Sequence, residues 1–356
     1  MGAFRRGFHN RSPLVLVAAA ALLVPALLGF QWLFTSGAWT AVPLDAALRN
    51  PEDSFTYISW VVGKARQDDP RVPGLYLLGG SSARESIESG DALAAEIADL
   101  GGPRVAAHNL GSINQNFAQS LAVVDSVPDT PAVLLVGVNL GRFTATREQN
   151  AAQAEGRELL LESGSVREFV SSAWGLKEQS YTILPGIWAY LTDWAREHGG
   201  RLLEGDPPST EYELHRYSAK TRRSDDQKKR LVTKWNATRR PVFEKNLGAN
   251  LEMLEALLAQ ARERGVRVVL LELPLNEEIV GDAFAASQRR YREPVAALAR
   301  DYDADYVDLN QTLDIPSRDF QDLSHLLAPG RAVWQHALAR ELTRLISTED
   351  SGGSSG

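Results

Sequence analysis

The chain is predicted to fold as a three-layer α/β domain, a parallel sheet between two sets of helices, carrying an N-terminal membrane helix and a helical insertion. Three observations predict this. Short, wholly apolar runs recur through the body, such as Ala132, Val133, Leu134, Leu135 and Val136, and segments with apolar residues at helical spacing separate them. Strands covered on both faces are apolar throughout, and strand–helix alternation is the usual connectivity of a parallel sheet. A long apolar segment stands near the N-terminus, and a stretch in the middle of the chain breaks the alternation.

Taken in order, residues 51–69 have helical spacing (Phe55, Ile58, Val61, Val62, Ala65) and are expected to flank the domain. Residues 75–78 read as a strand, 83–100 as a helix, 104–107 as a strand, 116–127 as a helix and 132–136 as a strand. After the interruption, residues 247–264 form a helix closed by Gly265, as helix ends favour. A strand over 266–271, a helix over 289–302, a strand over 306–309 and a helix from 327 or 329 to 346 complete the domain. No internal repeat is visible.

The insertion spans about 149–240. Residues 181–197 are amphipathic, with Leu184, Ile187, Trp188, Leu191, Trp194 and Ala195 on one face. That stripe either packs on the main domain or meets the bilayer, where Trp and Tyr are favoured. A basic stretch follows: Lys220, Arg222, Arg223, Lys228, Lys229, Arg230, Lys234, Arg239 and Arg240. It reads as a solvated face or as a site for anionic glycan or lipid head groups.

Residues 14–34 are 21 uncharged, mostly apolar residues, enough to cross a hydrocarbon layer of about 30 Å as a helix. Arg5, Arg6 and Arg11 precede them and the next basic residue is Arg49, which predicts a cytoplasmic N-terminus and an exported, periplasmic body. Alternatives are a signal peptide cut near Ser36 and Ala38, for which the apolar region is long, and a buried helix of a soluble domain. The expected organisation is 1–12 cytoplasmic, 13–35 transmembrane, 36–70 linker and flanking helix, 71–347 catalytic domain and 348–356 a linker-like tail. The chain of 356 residues contains no cysteine, which excludes disulfides and thiolate catalysis, and its net charge of −7 gives no reason to expect nucleic acid as a partner. No metal-ligand cluster or phosphate loop stands out, so no cofactor is expected.

Four short segments carry the chemistry: Gly79-Gly80-Ser81-Ser82, Asn109-Leu110-Gly111, Gly137-Val138-Asn139 and Asp322-Leu323-Ser324-His325. Three follow strands and the fourth precedes a helix, so all can gather at the sheet's carboxyl edge, where sites of such folds form. Ser81 sits in a glycine-led turn that would expose its hydroxyl, a poor nucleophile until a base takes its proton. His325 is the candidate base and Asp322 can fix its tautomer. The N–H groups of Ser81 and Gly111 and the side-chain amide of Asn139 are candidate oxyanion donors, each typically worth about 3–4 kcal/mol of barrier. His108 is the rival histidine and reads as a packing residue at a strand end. Singly, each segment could be a turn or a cap; their order and placement together point to acyl transfer through serine.

These residues resemble the four blocks of the SGNH (GDSL-like) hydrolase superfamily over about 71–347, less the insertion. The resemblance implies a flavodoxin-like sheet, with Ser81 as nucleophile, Gly111 and Asn139 as oxyanion donors, His325 as base and Asp322 as its partner. Gly80 stands where the family usually has aspartate, and Leu140 follows Asn139 where a second aspartate is usual. A Gly-Ser-Ser start behind a membrane anchor is similar to the subgroup that works with membrane-bound O-acyltransferases in alginate acetylation and teichoic-acid D-alanylation. The resemblance therefore implies a membrane-anchored serine acyltransferase acting on a cell-envelope polysaccharide, with such an acyltransferase as partner. The alternatives are an acetylesterase with the same triad and a non-catalytic membrane scaffold.

Overall fold

The computed structural model describes residues 13–67, 71–128, 131–154, 159–161, 163–176, 184–216 and 222–352. The expected cytoplasmic segment 1–12, the start of the amphipathic stretch at Tyr181 and the basic Lys220 lie outside them.

Helix α1 (Pro13–Thr35) leads through a short 3-10 turn to α2 (Ser54–Ala65), whose first turn is capped by Asp53 accepting from the Thr56 N–H. The body then alternates β1 (Gly74–Leu78), α3 (Gly90–Asp99), β2 (Ala106–Asn109), α4 (Phe117–Ser126) and β3 (Ala132–Val138). Among the described residues four α-helices follow: α5 (Arg147–Ala154), α6 (Gly164–Trp174), α7 (Leu184–Glu204) and α8 (Asp225–Lys234). The alternation resumes with α9 (Arg240–Glu263), β4 (Arg267–Glu272), α10 (Ala285–Asp301), β5 (Asp305–Val307) and α11 (Ala328–Gly352).

The five strands form one parallel sheet in the order β2-β1-β3-β4-β5. Successive strand residues face opposite layers, so the apolar runs feed two cores. Tyr76, Leu78, Leu134, Val136, Val268 and Leu270 join α2, α4, α9 and α10 on one side. Leu75, Leu77, Leu135, Val269 and Leu271 join α3 and α11 on the other, around the buried Trp334. The chain leaves β1 toward β2 on one side and reaches β3 on the other, so a crevice opens where the strand order reverses.

Several boundaries depart from expectation. The helix expected over 83–100 is broken: a single turn, Ser81–Arg84, ends before α3 starts behind its cap Ser89, which accepts from the Ala92 N–H. Gly90 lies so close to β2 that a Cβ there would come within 2.0 Å of the Ala107 carbonyl oxygen. The second strand runs to Asn109 rather than ending at 107, because its register against β1 sets Asn109 opposite Leu77. The helix expected from 247 starts at Arg240 and is joined to α8 by a π turn over Trp235–Arg239. Helix α11 continues through Gly352, past the expected start of the tail.

The insertion's two sequence features also resolve differently. On α7 the inward residues are Gly186, Ile187, Tyr190 and His198, while Trp188 is 73% exposed and Ala195 is exposed too. In the basic stretch Lys228 is buried, donating to the carbonyl and hydroxyl oxygens of Ser317; Arg222, Arg223, Lys229, Arg230, Lys234, Arg239 and Arg240 are exposed.

Candidate active site

Strand β1 delivers the chain to Gly79, whose φ of 153° suits glycine, and a Cβ there would meet that of Ala83 at 2.7 Å. Gly80 then caps the one-turn helix in which Ser81 is the first residue. Ser81 is half-buried, whereas Ser82 is buried beside it.

The fourth segment reaches this turn from 244 residues away: Ser81 Oγ lies 2.8 Å from His325 Nε2. His325 Nδ1 lies 2.8 and 3.0 Å from the two carboxylate oxygens of Asp322. The loop bends back on itself because the N–H groups of Ser324 and His325 both donate to Asp322 Oδ1, at 3.0 and 3.1 Å. Burial opposes ionisation of Asp322, but the hydrogen bond and charge of His325 and the two backbone donors outweigh it and bring its carboxyl down to about 2. Asp322 is therefore an anion that can orient the imidazole and stabilise its protonated form.

The other two segments arrive at the same edge with their donors partly engaged. Asn139 Nδ2 donates to Ser82 Oγ at 2.9 Å, and its Oδ1 accepts from the Arg142 N–H. The Gly111 N–H donates to Asn109 Oδ1 at 3.2 Å, while Asn109 Nδ2 holds the Arg84 carbonyl at 2.9 Å. Gly111 has a packing duty as well, since a Cβ would come 2.6 Å from the Arg84 nitrogen. His108 stacks on Tyr76 with ring centroids 5.3 Å apart, in the second strand and outside the triad.

Two residues that sequence reasoning passed over hold the segments together. Gln115 Oε1 accepts from the Gly79 N–H at 2.8 Å, from Ser120 Oγ at 3.1 Å and from Arg142 Nη1 at 3.4 Å, while its Nε2 donates to the Leu110 carbonyl at 2.8 Å. One amide thus touches the first, second and third segments or their flanks. Arg142 is fully enclosed, lies over the Phe117 ring at 4.3 Å, and is pushed down to about 9 by burial. In sequence both look like ordinary loop polar residues, and no spacing marks them.

The triad opens into a cleft of about 1400 Å³. Its far walls come from the insertion, β4 and α10: Asp193, Arg196 and Glu197 of α7, Lys234 and Trp235, and Glu272 of β4 with Tyr291 and Arg292 of α10. Tyr291 Oη donates to Glu272 at 2.6 Å, Tyr306 also bonds it, and burial raises the Glu272 carboxyl. Among the described residues no group of three or more His, Asp or Glu is placed to hold a metal ion.

No family model matches the chain, and no curated protein compared with it is similar. Solved structures give remote likenesses. A lipase/acylhydrolase from Enterococcus faecalis is 11% identical, covering 77% of this chain and 96% of its own, with a TM-score of 0.35. AlinE4, an SGNH-hydrolase family esterase, is 13% identical, covering 78% of this chain and 99% of its own, with a TM-score of 0.31.

Proposed function

We propose that this chain is a membrane-anchored, extracytoplasmic serine acyltransferase of the SGNH type. The observation that carries the proposal is the contact of Ser81 Oγ with His325 Nε2 at 2.8 Å, with Asp322 behind the imidazole. In the first step His325 takes the hydroxyl proton as Ser81 Oγ attacks the carbonyl carbon of an acyl donor. The leaving group departs with that proton, and an acyl-serine remains. In the second step an acceptor hydroxyl gives its proton to His325, attacks the acyl-serine and releases Ser81 Oγ, which recovers the proton. The N–H of Ser81 and the Asn139 amide are the oxyanion donors this reading uses first, with Asn139 exchanging Ser82 Oγ for the oxyanion. Gly111 joins them if its N–H turns from Asn109.

A polysaccharide of the cell envelope is the acceptor class this reading favours, and acetyl the acyl group. The cleft of about 1400 Å³ exceeds the usual small-molecule range of about 300–1,000 Å³ and is lined by both charges, as a polar polymer would require. A membrane-bound O-acyltransferase would supply the acyl group from across the bilayer, with α1 as the anchor. Hydrolysis is the second reading: Ser81 is half-exposed, so water can reach an acyl-serine as readily as a sugar hydroxyl can.

A serine-directed fluorophosphonate tests the site: labelling should vanish in Ser81→Ala and persist in Ser82→Ala, and labelling of Ser82 alone would refute the assignment. Turnover of an activated acetyl ester, with and without envelope glycan, separates the two readings. Transfer predicts acetylated glycan; acetate release indifferent to every acceptor favours hydrolysis.

A further inference from the structure

Helix α1 is fixed to the body at its exit end. Arg66 Nη1 donates to the Thr35 carbonyl at 2.7 Å and its Nε to the Ser126 carbonyl at 2.6 Å, so one guanidinium ties the last turn of α1 to α4. Gly37 has φ of 79° and packs so tightly on Gly63 of α2 that a Cβ would come 2.8 Å from its carbonyl oxygen. A body joined this closely to its anchor has a set height and tilt over the bilayer.

Helix α7 packs on α1 and on the segment 46–48 beyond that exit. Phe34 of α1 touches Tyr190 at 6.2 Å between centroids, and Ile187 is buried in the same cluster with Trp39. Tyr190 Oη then donates to the Ala47 carbonyl, Trp194 Nε1 to that of Ala46, and His198 Nε2 bonds that of Leu48. The part of α7 around Ile187 and Tyr190 therefore lies beside the last turn of α1, and Trp194 and His198 lie against residues 46–48. Two tryptophans flanking this cluster in sequence are exposed: Trp32 of α1, two residues before Phe34, at 63%, and Trp188 of α7, next to Ile187, at 73%.

The apolar span of residues 14–34, at about 1.5 Å per residue, matches a hydrocarbon core of about 30 Å, which puts Phe34 and everything packed on it at the lipid–water boundary. Indole rings favour that boundary because an apolar body and a polar N–H are both accommodated there. We infer that Trp188 and Trp32 form an interfacial aromatic pair, by which the first turns of α7 touch the head-group region and hold the catalytic cleft at a fixed height above the membrane. The occupant of this surface is the bilayer itself. Asp193, Arg196 and Glu197 line the cleft from the same helix, about 7–14 Å along its axis from Trp188. The cleft would then receive an acyl donor presented at the membrane surface. The inference rests on the anchor reading of α1.

The chain has no cysteine, so single positions can be labelled cleanly. Full-length Leu22→Cys, Trp188→Cys and Leu203→Cys variants, each carrying an environment-sensitive fluorophore, are placed in nanodiscs with and without spin-labelled phosphatidylcholine. All three side chains are exposed, so the fold should tolerate them. Lipid quenching of at least twofold is expected at 22 and 188, with none at 203. Quenching at 22 with 188 as unaffected as 203 overturns the interfacial contact while the anchor stands. No quenching at 22 overturns both, and equal quenching at 188 and 203 overturns the fixed-height geometry.

Discussion

Gln115 is enclosed, and its side-chain hydrogen bonds reach the turn that carries Ser81, the segment before Gly111 and the arginine three residues after Asn139. Removing the amide leaves the Gly79 N–H buried without an acceptor, at a cost of about 1–3 kcal/mol, and frees the turn that aims Ser81. A misplacement of about 1 Å costs on the order of 100-fold in rate. Gln115→Ala should therefore lower kcat about 10- to 100-fold with little change in KM, while circular dichroism stays native. Gln115→Glu should retain more activity than Gln115→Ala, because a carboxylate still accepts from Gly79 and Arg142. Equal kcat in Gln115→Ala and the unsubstituted protein would dismiss the positioning role. Ser81, Asp322 and His325, which the structure brings together, were legible as candidates because the proposed chemistry requires particular residue types; Gln115 was not, because a buried amide is defined only by what surrounds it.

Elements were legible in kind and less so in extent. Each apolar run became a strand, yet β2 was moved by its pairing partner, and the helix after Ser81 was split by the close approach of Gly90 to β2. The face of α7 was misread at Trp188 and Ala195 because helical periodicity fixes a stripe but not which neighbour it meets. Lys228 turned inward for the same reason, Ser317 offering it two oxygens. The α1–α2 junction is an element-scale device of this type. Gly37→Ala places a Cβ 2.8 Å from the Gly63 carbonyl at a positive φ, and should destabilise the protein by about 2 kcal/mol or more. Thermal melting of the full chain in detergent checks this: a drop of a few degrees is expected, and an unchanged midpoint would mean the junction yields.

For the whole molecule, the coupling of site to stability is visible in pH. The Asp322 carboxyl is held at about 2, below its ordinary value of 3.8, so the ionised form is favoured by folding. That contribution is fully present above about pH 4 and is lost as pH falls through the folded value near 2, on the order of 2 kcal/mol in all. Asp322→Asn should flatten the acid limb of the stability curve measured by denaturant unfolding between pH 5 and 2; an identical limb would place the acid sensitivity elsewhere. By itself the sequence determined the alternation of strands and helices, the apolar N-terminal span and the four chemical segments, since burial and reactivity are imposed on residue types locally. Only the tertiary structure decided that residues 244 apart meet at 2.8 Å, which amide ties their loops, and which side of α7 is left facing outward. Those depend on how the layers close on one another, and contacts between distant parts of a chain leave no periodic trace along it.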